Sequence, residues 1–285
     1  MLQVKKVSKS FGKIKALEDI SFDIQPGEFV FITGESGAGK TTLLRLVLRE
    51  MVPDAGEILL EDKDITKLKG KEIPKLRQKI GTVFQDFKVL SERTLWENVA
   101  VALAVCGVPQ NEWDDRVEQV LKLVDLKDRR NLFPSQLSGG ELQRASLARA
   151  LVVNPKIVLA DEPTGNLDWD TADSIMDLFK KINSEGKTII MATHHQLIVK
   201  KMAKRVVQLK GGRVVGDSGS KSTTSGKQKE EKTENKKTET TPQNSKSTGQ
   251  APQSNKSAGQ AETPNKNETQ KKKVDDSERS NKNKE

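Results

Sequence analysis

The chain has 285 residues, of which 34% are hydrophobic and 4% aromatic, with one cysteine and a net charge of +9. An apolar share that low excludes a chain folded evenly along its length, and a single cysteine excludes an intrachain disulfide. The well-mixed charge shows no long block of one sign, so it gives no footprint for nucleic acid, and none is expected as a partner.

Residues 2–30 read as strand-rich. Leu2, Val4 and Val7, then Ile20, Phe22 and Ile24, fall roughly into alternation, and Pro26-Gly27 marks a turn. Phe11 sits at a turn between the two runs. It is either a core anchor for a small sheet or an aromatic platform on which a base stacks.

The apolar run Phe29-Val30-Phe31-Ile32 leads into Gly34-Glu35-Ser36-Gly37-Ala38-Gly39-Lys40-Thr41, with Thr42 following at the head of a helix-spaced stretch. Strand, glycine-rich loop and helix are the context of a phosphate-binding loop. Its backbone N–H groups would cradle the phosphates of ATP, with the helix dipole behind them. Lys40 would reach the β- and γ-phosphates, and the Thr41 hydroxyl would ligate Mg²⁺. A flexible turn is the plain alternative, and the Lys-Thr pair at the required offset argues against it.

Farther on, Pro53 to Gly56 reads as a turn, 57–60 as a strand and 72–79 as a helix that tolerates Pro74 in its first turn. The strand Ile80 to Phe84 ends at Gln85, which either faces the expected nucleotide site or is an ordinary surface glutamine. From Thr94 to Val124 the apolar spacing becomes helical, broken at Pro109, as a helical insert between core strands. Trp96 and Trp113 are either core residues of that insert or exposed partner contacts. Cys106 lies in an apolar run too short to cross a bilayer and reads as a buried, inert thiol.

Leu137-Ser138-Gly139-Gly140-Glu141 opens a strong helix and offers a second helix N-terminus for phosphate. One ATP needs one cradle, so the second points to a nucleotide held by a neighbouring molecule. The buried strand Ile157 to Ala160 ends in Asp161-Glu162. Paired carboxylates there are costly unless used: Asp161 would hold Mg²⁺ and Glu162 would polarise the attacking water. Asn166-Leu167-Asp168 begins another helix, and the strand 187–192 closes on Thr193-His194-His195. Both histidines sit at a strand end, where one of them is expected to meet the phosphates. A hairpin over 205–215 follows.

From Asp217 onward there is no aromatic residue, Val274 and three alanines are the only aliphatics, and 15 basic residues stand against 11 acidic ones. Such a segment cannot bury enough surface to offset its ordering entropy, so 217–285 is expected to be a disordered, lysine-rich tail after a folded region of 1–216. Nothing at the N-terminus has the apolar core of a signal peptide, and no run is long enough for a span. The expectation is a cytoplasmic protein, without direct membrane insertion, that meets a membrane through a partner.

In their order, these motifs resemble the nucleotide-binding subunit of ABC transporters over residues 1–215. Asp64-Ile65-Thr66-Lys67-Leu68, Ile73-Pro74-Lys75-Leu76-Arg77, Gly81 to Asp86 and Asp161 to Asp168 are most similar to the FtsE family of cell-division ATP-binding proteins. The resemblance implies an α/β fold: a P-loop NTPase (RecA-like) core, an N-terminal antiparallel β subdomain and a helical subdomain at about 87–150. It implies Phe11 as the adenine platform, Gln85 as a sensor of Mg²⁺ and water, and Glu162 as general base. His194 becomes the γ-phosphate switch and Asp168 a residue of the dimer seam, with Ser138, Gly139 and Gly140 closing on the γ-phosphate of a partner copy. The implied partners are a second copy, an FtsX-like membrane subunit and other division proteins, at the cytoplasmic side of the membrane. The implied outcome is activation of cell-wall hydrolases.

Three features depart from the family pattern. Glu141 stands where many members have Gln, His195 replaces the usual Asp, and the tail has no counterpart. A lipoprotein-release or macrolide-type exporter ATPase shares every catalytic motif and is the nearest competing reading. A soluble ABC protein acting on nucleic acid or ribosomes is disfavoured by the single cassette and the absence of coiled-coil or zinc insertions. A non-catalytic scaffold is disfavoured by Lys40, Asp161, Glu162 and His194 all being present.

Overall fold

A computed structural model of the chain describes residues 1–219; the tail assigned to 217–285 lies, from residue 220 onward, outside the described residues. The described part is built on a mixed sheet whose central strands are buried on both faces. Strands β3 (Phe29–Thr33), β6 (Ile80–Val83), β7 (Ile157–Asp161), β8 (Thr188–Thr193), β9 (Arg205–Lys210) and β10 (Arg213–Asp217) lie in the order β10-β9-β3-β8-β7-β6. All pairings are parallel except β9 with β10, the predicted hairpin. A smaller antiparallel sheet carries β1 (Leu2–Phe11), β2 (Ile14–Ile24), β4 (Ala55–Leu60) and the short β5 (Lys63–Asp64) in the order β2-β1-β4-β5.

Alternation along the central strands divides the interior into two layers. Phe29, Phe31, Val158, Ala160, Ile189 and Met191 point into one layer, shared with α3 (Leu95–Val105), α4 (Trp113–Leu123), α5 (Gly139–Leu151) and α6 (Trp169–Ser184). Their neighbours Val30, Ile32, Ile157, Leu159, Ile190 and Ala192 point into the other, against α1 (Lys40–Val47) and the antiparallel sheet. Strands covered on both faces read as unbroken apolar runs, which is how they appear in the sequence.

The helices begin where their sequences allow. Thr94 and Ser138 cap α3 and α5 with reciprocal boxes to Glu97 and Glu141, and the Asp168 side chain caps α6. Helix α6 then buries Ala172, Ile175, Met176, Phe179 and Ile182 at three- and four-residue spacing. Trp96 and Trp113 are partly buried and pack against the helical layer, with ring centroids 6.5 Å apart. Cys106 is partly buried, and burial pushes its thiol pKa up, away from reactivity.

Strand β10 runs to Asp217, past residue 216 where composition ended the folded region. The Arg205 guanidinium is the reason: its Nε and Nη2 donate to the two Asp217 oxygens at 2.9 and 2.7 Å, and its Nη1 donates to Glu28. A bidentate pair of this kind holds a strand end that has little apolar surface of its own.

Glu61, at the β4–β5 turn, accepts from Lys79 at 2.6 Å and from Lys156 at 2.5 Å, tying the small sheet to the residues just before β6 and β7. These two ammonium groups hold its pKa down to about 2 from an ordinary 4.5. A depressed carboxyl pKa contributes stability that is present above the unfolded value and lost as pH falls toward the folded one. Glu61→Gln should therefore lower the urea midpoint at neutral pH, with the gap from wild type closing as pH drops below 4.5 toward 2. Urea unfolding at several pH values reads this directly.

Candidate functional site

Four neighbouring parallel strands end at one edge of the sheet, and the candidate residues follow those ends. Register aligns Thr33 with Thr193, Asp161 with Ala192 and Val83 with Ala160. The phosphate-binding loop leaves β3, Gln85 follows β6, Asp161 and Glu162 close β7, and His194 follows β8. The chain brings them together around a cleft of about 970 Å³. Its lining includes residues 33–37, 39–42, Gln85, Glu162 and His194.

The loop folds as its glycines require. Gly39 caps α1 at φ 102°, and a Cβ there would stand 2.5 Å from both the Ala16 carbonyl oxygen and Leu17 Cδ2. Only glycine fits. Lys40 is 7% exposed and donates from Nζ to the carbonyls of Gly34 at 2.8 Å and Glu35 at 3.2 Å. The ammonium thus folds back over the loop, the place a nucleotide's terminal phosphates would take.

Glu162 is the meeting point. Its Oε1 lies 3.5 Å from Lys40 Nζ and 2.9 Å from His194 Nδ1, and its Oε2 accepts from the His194 backbone N–H at 3.3 Å. Glu162 itself has φ +48°, and its N–H continues the ladder to the Ala192 carbonyl at 2.9 Å. A side chain in the left-handed region is uncommon and carries local strain, which is found where function constrains the backbone. Beside it, Asp161 Oδ1 accepts from the Thr41 hydroxyl at 3.2 Å. Burial pushes the Asp161 pKa up, opposed by the Thr41 hydrogen bond and reinforced by the neighbouring Glu162 charge.

Thr41, Asp161 and Gln85 offer hydroxyl, carboxylate and amide oxygens, the hard donors that Mg²⁺ takes alongside water and phosphate. The partly desolvated Asp161 carboxylate is a group that a cation would relieve, so these residues fit the ion. Gln85 is held in place by Asn166, whose Nδ2 donates to the Gln85 carbonyl at 3.1 Å and whose Oδ1 accepts from Gln85 Nε2 at 3.3 Å. The role of Asn166 in holding Gln85 is not visible in the sequence, because the contact spans two distant loops.

Three sets of predicted residues lie apart from this cleft. Phe11 is 48% exposed, so the core-anchor reading is wrong, and Lys9 Nζ stands 5.7 Å from its ring centroid. The cleft wall nearest it in sequence is Ile14, Lys15 and Ala16 instead. Ser138, Gly139 and Gly140 open α5 outside the cleft lining, and Asp168 caps α6 with its carboxylate on the Thr171 N–H and hydroxyl at 2.9 and 2.7 Å. Those hydrogen bonds keep the Asp168 pKa low. The two helix starts touch: a Cβ on Gly140 would come within 2.5 Å of Thr171 Cγ2, so the second glycine is a packing requirement. His195 precedes α7 (Gln196–Met202), its ring 5.4 Å from that of His194.

Comparison with known proteins agrees with this geometry. Residues 17–165 match the ABC transporter family. The cell division ATP-binding protein FtsE of Bacillus subtilis (strain 168) is 50% identical over 218 residues, covering 76% of this chain and 96% of that protein. The protein of the same name from Escherichia coli (strain K12) is 44% identical over 220 residues, 77% of this chain and 99% of its own length. Among solved structures, a dimeric ATP-binding cassette in a post-hydrolysis state bound to ADP and Pi superposes with a TM-score of 0.69 at 37% identity, covering 76% of this chain and 98% of that one.

The Asp161 shift has a stability consequence with a definite sign. A raised carboxyl pKa means the folded chain holds its proton longer, so the ionised, buried form costs stability above that pKa and the cost vanishes as pH falls toward 3.8. Asp161→Asn should leave the nucleotide-free chain at least as heat-stable as wild type at neutral pH, with the difference shrinking in acid, while ATP hydrolysis is lost. Paired melting curves and phosphate release test both halves.

Proposed function

The chain belongs to the ABC transporter ATP-binding family, in its FtsE branch of cell-division ATPases, and on that premise we propose a two-copy mechanism coupled to a membrane partner. Two copies sandwich two ATP molecules, each site combining the phosphate-binding loop of one copy with Ser138, Gly139 and Gly140 of the other. The observation carrying the hydrolytic part of this reading is Glu162, which meets His194 at 2.9 Å and Lys40 at 3.5 Å beside Asp161 and Thr41. The support for a second copy is that Ser138, Gly139 and Gly140 open α5 outside the lining of the cleft.

Within that site Lys40 leaves the Gly34 and Glu35 carbonyls for the β- and γ-phosphates, which the loop N–H groups surround. Thr41, Asp161 and Gln85 would hold Mg²⁺, which when bound spreads the charge that develops on the phosphoryl group. Glu162 accepts the proton of the attacking water, and His194 both orients that carboxylate and reports on the γ-phosphate. Asp168 stands at the seam between copies, close to the Ser138–Gly140 turn through Thr171. Phe11, on the exposed β1–β2 turn, supplies a face for adenine.

ATP holds the copies together; water cleaves its β–γ phosphoanhydride bond, and the two anions that result, ADP and inorganic phosphate, repel each other and open the pair. A second subunit, FtsX-like and integral to the membrane, would take up that motion at the Gln85 loop and the helices after it, and pass it outward to peptidoglycan hydrolases. The chain would act at the cytoplasmic face of the membrane. Among the described residues no helix is long and apolar enough to cross a membrane, in keeping with a peripheral subunit.

Glu162→Gln removes the base and keeps the shape, so turnover should fall by about 10²- to 10⁴-fold while ATP binding persists. On size exclusion with ATP that variant should elute as a dimer; elution only as a monomer would sink the two-copy reading. Membrane pull-downs with wild type and Lys40→Ala, read by mass spectrometry, should recover a subunit with few spans and a large extracytoplasmic loop. A many-span permease in its place would leave the ATPase standing and overturn the division-site partner.

A further inference from the structure

The start of α5 carries a carboxylate where an arriving phosphate would need positive potential. Glu141 Oε2 accepts from the Ser138 N–H at 2.8 Å and the Ser138 hydroxyl at 2.9 Å, while its own N–H donates to Ser138 Oγ at 3.3 Å. These bonds favour the helix, because a negative charge in the first turn complements the macrodipole. They work against the anion in two ways. The charge of Glu141 opposes the dipole that would attract a phosphate, and the Ser138 hydroxyl proton is already committed to a carboxylate.

A guanidinium faces this arrangement from the segment between α4 and α5. Arg129 Nε lies 3.3 Å from Glu141 Oε1, the oxygen that Ser138 leaves free. Lys122, Lys127 and Arg144 border the same cavity of about 540 Å³, and the last two are engaged elsewhere. Lys127 pairs with Glu118 at 2.6 Å, and Arg144 donates to the Val124 carbonyl and the Ser174 hydroxyl. Asp125 and Asp128 add negative charge to that cavity, which increases the need for compensation at Glu141.

We propose that Arg129 is a positioning residue for the ATPase reaction: by neutralising Glu141 it lets Ser138 and the α5 N-terminus receive the γ-phosphate of ATP held by a second copy. A carboxylate already paired with a guanidinium is a weaker acceptor, so it gives up the Ser138 hydroxyl more readily. It also repels the phosphate less. The inference rests on the two-copy reading above and adds to it a residue that acts only through Glu141. Since the Arg129 and Glu141 side chains are 55% and 28% exposed, solvent screens the pair and its effect on the assembly is modest.

The test is sedimentation of the full chain in the Glu162→Gln background, with ATP titrated to find the concentration giving half dimer. Arg129→Gln should raise that concentration about three- to tenfold, a size suited to a partly exposed charge pair. Arg129→Lys should recover part of the loss. Combining Arg129→Gln with Glu141→Gln should bring the value to within about twofold of Glu141→Gln alone, since neither charge then remains. An Arg129→Gln variant that dimerises like its parent, or a deficit that persists when Glu141 is also Gln, overturns the role of Arg129 and leaves the dimer intact. Failure of the Glu162→Gln parent to dimerise at any ATP concentration would remove the two-copy reading itself.

Discussion

A buried ammonium and two adjacent carboxylates at the ends of parallel strands are the constraint on which this fold depends. Lys40, Asp161 and Glu162 are held together, and each would be costly alone. The arrangement is tolerable because every charge has partners: Lys40 the loop carbonyls and Glu162, Glu162 the His194 ring and backbone, Asp161 the Thr41 hydroxyl. Strand register supplies those partners. With β7 between β6 and β8, and β8 beside β3, the ends of all four reach one edge. A shift of one residue in any of them would turn its terminal side chain to the opposite face and break the set.

The two apolar layers keep that edge rigid. Alternate residues of β3, β7 and β8 are fixed against α1 on one side and against α5 and α6 on the other. The helix starts on the second side, at Ser138 and Asp168, are not among the residues that line the cleft, so the phosphate-binding loop and this pair of helix N-termini are separate features of the chain. Gly140 lies close enough to Thr171 that a side chain at position 140 would meet it, so the two helix starts pack closely against each other.

The parts legible in the sequence are those whose chemistry is local. The loop from Gly34 to Thr41 needs its own glycines and lysine, and the strand runs needed only their neighbours to read as buried. Asp161 and Glu162 stood out because a buried strand has no other use for two carboxylates. Phe11 was ambiguous, since an aromatic at a turn can face inward or outward, and the structure leaves it exposed and outside the cleft lining. Asn166 on Gln85 and Arg129 on Glu141 were invisible, because each pair is distant in sequence and set by how loops cross. The hold on the end of β10 was invisible for a related reason: composition registers apolar burial, and that strand end is held by a guanidinium.

Dependence of the ATPase rate on protein concentration tests the central claim most directly, that a working site needs two copies. At saturating ATP, activity per molecule should rise with protein concentration, approaching second order where the chain sediments as a monomer and levelling off where it is dimeric. Activity per molecule that is constant throughout the monomeric range would contradict the account, because a single copy would then hold a complete hydrolytic site.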